Sequence, residues 1–147
     1  MSQLGLGVMI GMLSGNSETV AAIRASQGKK IVGISLDKDQ ETPDGFERQD
    51  LIRIDLTEHV LLLWDGGQSC CEARYTTTDD AVEEFVGATL VDVDLLDADT
   101  IEDDYGVHEQ QFLRVQTDRG DMTFVTHNEH NGYYGGFLLK AALEPAD

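Results

Sequence analysis

Cations are scarce in this 147-residue chain: ten Lys and Arg stand against 28 Asp and Glu, a formal net charge of −18. Such a field repels nucleic acid and anionic membranes, which argues against phosphate-based DNA binding and against a membrane partner. It is compatible with a nucleic-acid mimic that occupies a basic groove, or with a proteome that is acidic throughout. No run approaches the roughly 20 apolar residues of a membrane span. The N-terminal LGLGVMIGML is apolar, but no Lys or Arg precedes it and no clean cleavage-like site follows, so no signal peptide is expected. Cysteine is confined to the neighbours Cys70 and Cys71. A disulfide between adjacent residues is strained and closes no useful loop, so reduced thiols in a cytoplasmic setting are expected.

Apolar residues are plentiful, at 41%. A chain of this length can bury roughly 68–70% of its unfolded surface, enough for one domain over residues 1–147. NSETVAAIRASQG reads as a helix, capped by Asn16 or Ser17 and stopped by Gly28. KKIVGISLD follows as a strand. TTDDAVEEFVG repeats the device, with Thr78 or Asp79 as cap, Val82, Phe85 and Val86 inward, and Gly87 as stop; ATLVDVDLL then alternates with period two. Gly28 aligns with Gly87 at an offset of 59, and LIRI at 51–54 aligns with FLRV at 112–115 at an offset of 61. Each is followed by a hairpin strand, HVLLLW after Thr57-Glu58 and DMTFVT after TDRGD. KDQETPDGFERQ and DADTIEDDYGVHEQ read as polar loops. The expected fold class is therefore α+β: an internally duplicated helix–strand–hairpin unit, antiparallel sheet, and one helix per half. The divisions are an apolar leader at 1–15, halves at 16–77 and 78–138, and a tail at 139–147.

The duplication pairs two unusual segments, QSCCEARY and THNEHNGYYGGF, as equivalent stretches that could share one site. A transition metal would draw on Cys71, His127 and His130. Neighbouring cysteines point to opposite faces of a strand, however, and two His three apart are also split. A Cys–His nucleophile would be weakened by surrounding carboxylates. Glu72 with Glu129 is formally an acid–base pair. A non-covalent site fits better: Tyr75, Tyr133, Tyr134 and Trp64 offer flat faces, Asn128 and Asn131 read donors and acceptors, and Gly132 permits close approach. Arg74 could hold a phosphate or carboxylate bidentately. The structural alternative makes Asn131-Gly132 a turn and pairs Arg74 with Glu72 or Glu129.

At SCCEARY, DDAVEEFVG and HNGYYGG the chain resembles a widespread family of small phage and prophage proteins, a domain of unknown function. The resemblance runs over residues 28 to 137 and rests on Cys70, Cys71 and Glu72, on Gly87, and on Asn131, Gly132, Tyr133 and Tyr134. His127, His130 and the leader stand outside that pattern. The resemblance implies a viral origin and no particular activity. The expectation is a non-enzymatic accessory protein in the host cytoplasm, without a cofactor, acting against host defence. It would sequester a nucleotide-like ligand or block a basic host protein surface. The expected ligand contacts are Cys70, Cys71, Glu72, Arg74, Tyr75, Asn128, Asn131, Gly132, Tyr133 and Tyr134. The alternative is a virion component of capsid or tail, and a third reading is a small metal- or Cys-dependent enzyme. A homodimer would cover strand edges and the leader.

Overall fold

The computed structural model describes residues 17–43, 45, 48–66, 73–97, 100–103, 106–130 and 137–146. Helix α1 (Ser17–Ser26) carries Glu18 in its first turn and Arg24 in its last, and buries Thr19, Val20, Ala22 and Ile23. Gly28, at φ +84°, ends it in the left-handed region. Nine strands follow: β1 (Ile31–Glu41), β2 (Arg48–Leu56), β3 (His59–Asp65), β4 (Ala73–Thr77), β5 (Leu90–Asp97), β6 (Ile101–Asp103), β7 (Gly106–Thr117), β8 (Gly120–His130) and β9 (Leu139–Pro145). The first sheet runs β1-β2-β3-β9 and the second β4-β8-β7-β5, with β6 on β7. Every strand pairing is antiparallel. No helix among the described residues is long and apolar enough to cross a membrane.

Strand accounts for 67% of the described residues and helix for 13%, which overturns the α+β expectation: the described residues form mostly antiparallel β-sheet with one α-helix. The second expected helix is only a 3-10 turn (Val82–Phe85). Of its expected caps Thr78 and Asp79, Thr78 is held by β8 instead, as is the neighbouring Asp80. Thr78 Oγ1 donates to the Thr123 carbonyl at 2.7 Å, and Asp80 Oδ2 accepts from the Thr123 N–H at 2.6 Å. The stretch between Asp80 and Gly87, whose φ is +96°, is then too short for a stable α-helix. The two expected polar loops are also largely strand. Gln40 pairs with Gln49, Glu41 with Arg48, and His108 with Glu129. These strands run beyond the apolar core, so both faces are polar and the period-two signal fades.

Both sheets follow one plan. Ile34 opposes Ile54 and Ile54 opposes Leu61; at the sequence offsets of 59 and 61, Val93 opposes Val115 and Val115 opposes Met122. Each first strand carries a register shift at the matching place, Ile31/Gly33 and Leu90/Asp92. The halves join by reciprocal backbone bonds. Gly28 N donates to Leu90 O at 2.7 Å and Gly87 N to Ile31 O at 2.8 Å; Ile31 N donates to Ala88 O and Leu90 N to Lys29 O. The bridge between Lys30 and Thr89 lies at the centre of this exchange. One core fills the space between the sheets, with Ile31, Ile54, Leu61 and Leu63 on one side and Leu90, Val93, Val115, Met122 and Phe124 on the other.

The fourth strands change sheets. β4 follows β3 in sequence but pairs with β8, and β9 follows β8 but pairs with β3. The outer edge of β4 is closed by side chains: Thr76 N donates to Asp50 Oδ2 at 2.9 Å, and the Lys38 ammonium donates to both Thr76 O and Asp50. Burial alone would raise the Asp50 pKa, but the N–H groups of Thr76 and Asp39 and the Lys38 charge outweigh it and hold this carboxyl below its ordinary range. On β9, Ala141 N donates to the buried Thr19 Oγ1 of α1.

Because Gly28 and Gly87 hold positive φ at the two equivalent entries to the seam, Ala at either position is strained by about 1–2 kcal/mol. Gly28→Ala and Gly87→Ala are each expected to lose that much stability in urea unfolding. Loss-free variants would contradict the seam's backbone geometry.

Candidate functional site

The sequence of β4 and β8 places polar side chains on both faces of one sheet end. Tyr75 opposes His127, which opposes Gln110; Ala73 opposes Glu129, which opposes His108. Alternation then directs Tyr75, Thr77, His108, Gln110, His127 and Glu129 to the outer face. Arg74, Thr76, Glu109, Gln111, Asn128 and His130 fall on the inner face with Phe124 and Leu113. The apolar core gives way to polar groups at this end. The chain enters β4 directly from the Cys70-Cys71-Glu72 segment and leaves β8 directly into Asn131-Gly132-Tyr133-Tyr134, at strand ends where Ala73 pairs with Glu129. Those seven motif residues lie outside the described residues.

On the outer face the His127 ring stacks on Tyr75, with centroids 4.5 Å apart and planes 9° from parallel. His127 Nδ1 meets His108 Nε2 at 2.9 Å, and its Nε2 meets Thr77 Oγ1 at 2.9 Å. Two facing imidazole nitrogens can share one proton, but a charge on both rings is repelled. Burial, then the repulsion from His108, pushes His127 below the ordinary histidine range, against the pull of Glu129. The Tyr75 hydroxyl donates to Glu129 Oε2 at 2.7 Å; that bond, with burial and the Glu129 charge, pushes the phenol pKa up to about 12. At neutral pH the face therefore carries a neutral phenol, a neutral His127 and a carboxylate.

On the inner face Arg74 is not poised for a ligand. Its guanidinium lies 2.7 Å from Asp65 Oδ2, with the two side chains only 4% and 6% exposed. The other Asp65 oxygen accepts the Leu138 N–H at 3.0 Å. This ion pair ties the end of β3 to β4 and to the chain entering β9. Of the partners expected for Arg74, Glu129 is on the opposite face, and Glu72 lies outside the described residues. Asn128 is fully buried. Trp64, expected as a stacking face, is buried with Leu51, Val60 and Leu62. His130 Nε2 lies 2.7 Å from Glu109 Oε1 on the inner face, so His127 and His130 are split across β8 and cannot share an ion. Among the described residues no group of three or more His, Cys, Asp or Glu is placed to hold a metal. Of the expected contacts that are described, Tyr75 alone joins an accessible polar cluster. Thr77, His108 and Gln110 complete that cluster and were missed in the sequence; continuing the alternation of FLRV upstream through VHEQQ would have found His108.

Two outcomes follow. Removing the Arg74 guanidinium strands a buried carboxylate, so Arg74→Ala is expected to cost about 3–5 kcal/mol in urea unfolding, and adding Asp65→Asn should restore part of it. A stability-neutral Arg74→Ala would contradict a structural pair. For His127, the folded state resists a proton that the unfolded chain accepts at ~6.5. Stability is therefore lost as pH falls through that value. His127→Gln should flatten the decline between pH 7 and 5, and unchanged slopes in denaturation series would contradict this.

No curated protein matches the chain, and no solved structure does. The profile of one family, described as a domain of unknown function (DUF7448), matches residues 25–139, a span that takes in the seam, both sheets through β8, and the site. The chain belongs to the DUF7448 family.

Proposed function

We propose that this protein is a non-enzymatic phage or prophage accessory protein that acts in the host cytoplasm against host defence, by covering a basic surface of a host protein. The observation that carries this reading is the fate of Arg74. The guanidinium at the site is tied to Asp65 and the neighbouring Lys38 ammonium to Asp50, while Glu129 is exposed and aligned beside the Tyr75 hydroxyl. Such a face accepts Lys and Arg side chains, by carboxylate pairing and by aromatic contact, rather than phosphate. The rest of the charge distribution supports it. Lys38, Arg48, Arg53 and Arg114 are also paired with aspartates of the same chain, which leaves the −18 net charge to dominate the outward field. The phage origin rests on the Cys-Cys-Glu and Asn-Gly-Tyr-Tyr motifs. The same geometry disfavours capture of a nucleotide-like anion, because no free guanidinium waits at the site to hold its phosphate.

An Arg-rich peptide titrated into the full chain tests the reading. Binding is expected to weaken steeply as salt rises from about 0.05 to 0.3 M, since screening shortens the reach of exposed charges. Glu129→Gln and Tyr75→Ala should each weaken it about threefold to tenfold while the protein stays folded. Binding untouched by these variants, or a nucleotide mass released on denaturation in native mass spectrometry, would sink the proposal.

A further inference from the structure

The seam between the sheets carries a second surface, at the opposite end of β8 and roughly 30 Å from Glu129. The register shifts at Ile31/Gly33 and Leu90/Asp92 turn Ile31 and Leu90 into the core and leave the intervening Val32 and Val91 outside, 51% and 41% exposed. These are equivalent positions at the offset of 59, set on either side of the Lys30–Thr89 bridge. Val86, also 41% exposed, adjoins them through the bond from Gly87 N to Ile31 O. Three of the five exposed large hydrophobics among the described residues thus lie along this one seam, on the surface of a strongly acidic chain.

Four of the ten cations of the chain lie around these valines. Five of the ten are in ion pairs with aspartates elsewhere. Arg24, Lys29, Lys30 and Arg119 lie outside those ion pairs, and all four border the seam. Lys30 is exposed in the bridge itself, with Lys29 beside it. The Arg119 guanidinium lies over Gly87 and donates to Val86 O at 3.3 Å. Arg24, in the last turn of α1, acts on Asp92 next to Val91. The nearest carboxylates are engaged: Asp92 accepts from Gln27 Nε2 and Val93 N, and Asp118 accepts from Thr89 N. Glu83 and Glu84, exposed on the 3-10 turn, border one side.

We infer that this seam is a docking surface for an acidic peptide segment of a partner protein, one that alternates carboxylates with apolar side chains. Charge complementarity selects the occupant. Cations around an apolar centre attract anionic side chains and bury their apolar neighbours, and the Glu83–Glu84 border disfavours one orientation. A second copy placed symmetrically on the seam would set Lys30 and its neighbours against their own kind. The surface is independent of the Glu129 face, and neither reading needs the other.

The test titrates a short fluorescein-labelled peptide of alternating Glu and Leu into the full-length chain by anisotropy, beside oligothymidylate of equal length. Saturable peptide binding is expected, falling roughly tenfold or more in Lys30→Glu/Arg119→Glu and about threefold in Val32→Ser/Val91→Ser. Circular dichroism melts confirm that each variant is folded; the valine pair, whose side chains already face solvent, keeps the test open if the charge reversals unfold the protein. Absence of peptide binding, equal binding by the folded variants, or tighter binding of oligothymidylate would overturn the inference. Self-association in sedimentation that either variant pair abolishes would also overturn it, by giving the patch to a second copy.

Discussion

Four backbone hydrogen bonds around the Lys30–Thr89 bridge hold the two halves together, and the rest of the fold depends on them. They are reciprocal, so the N–H and C=O groups that each sheet would leave open at the start of its first strand are satisfied by the other. Neither half could bury those groups alone. The glycines that precede the bridge explain the helix economy of the fold. Each turns the chain sharply into its strand, after α1 in one half and after a 3-10 turn in the other. What repeats is the turn into the seam; the helix does not.

The crossing of β4 and β9 converts this repeat into a single site. By pairing, Tyr75 against His127 corresponds to Leu138 beside Gly66 in the first sheet. A Cβ on Gly66 would meet the Lys140 side chain at 2.6 Å, so an imidazole there would have to displace that lysine. Likewise Thr126 corresponds to Asp65, which is turned to Arg74 and Leu138 N rather than to a cross-strand threonine. The same backbone plan therefore carries a stacked, proton-sharing face on one sheet and a structural carboxylate on the other. The accessible cluster takes Tyr75 and Thr77 from the first half of the chain and His108, His127 and Glu129 from the second.

Local patterns made much of this legible. The shared glycines and the LIRI/FLRV match mark the seam and the central hairpins, because a positive-φ turn and a fully buried strand have strong residue preferences. The 3-10 turn is hidden in the sequence because Thr78 suits a helix cap and binds equally well to a neighbouring strand's backbone. Strand exchange was hidden because alternation tells which face a residue takes and says nothing about which strand lies beside it. At the site, proximity to the two motifs points to Tyr75, and to His127 only as a candidate metal ligand. The Arg74–Asp65 pair is not legible in the sequence because Asp65 ends the nearly continuous apolar run of β3, where a carboxylate gives no periodic signal.

Charge follows the same division between seam and site. A chain with 28 carboxylates must limit its self-repulsion, and here aspartates within strands take up the nearby cations. Arg114 is held by Asp94 at 2.5 Å on the second sheet and Arg53 by Asp55 on the first. Exposed pairs of this kind contribute little stability. Their larger effect is to remove cations from the outward field, so that the cations left unpaired become the local exceptions. Those exceptions collect where backbone geometry, rather than side-chain pairing, closes the fold. At the seam the four bonds that join the halves are main-chain, so Lys29 and Lys30 are not needed to close it; at the site side chains do the joining, and Asp65, Arg74 and Asn128 are buried among β3, β4 and β8. The interior of that end is committed to holding the sheets, which leaves recognition to the outer face.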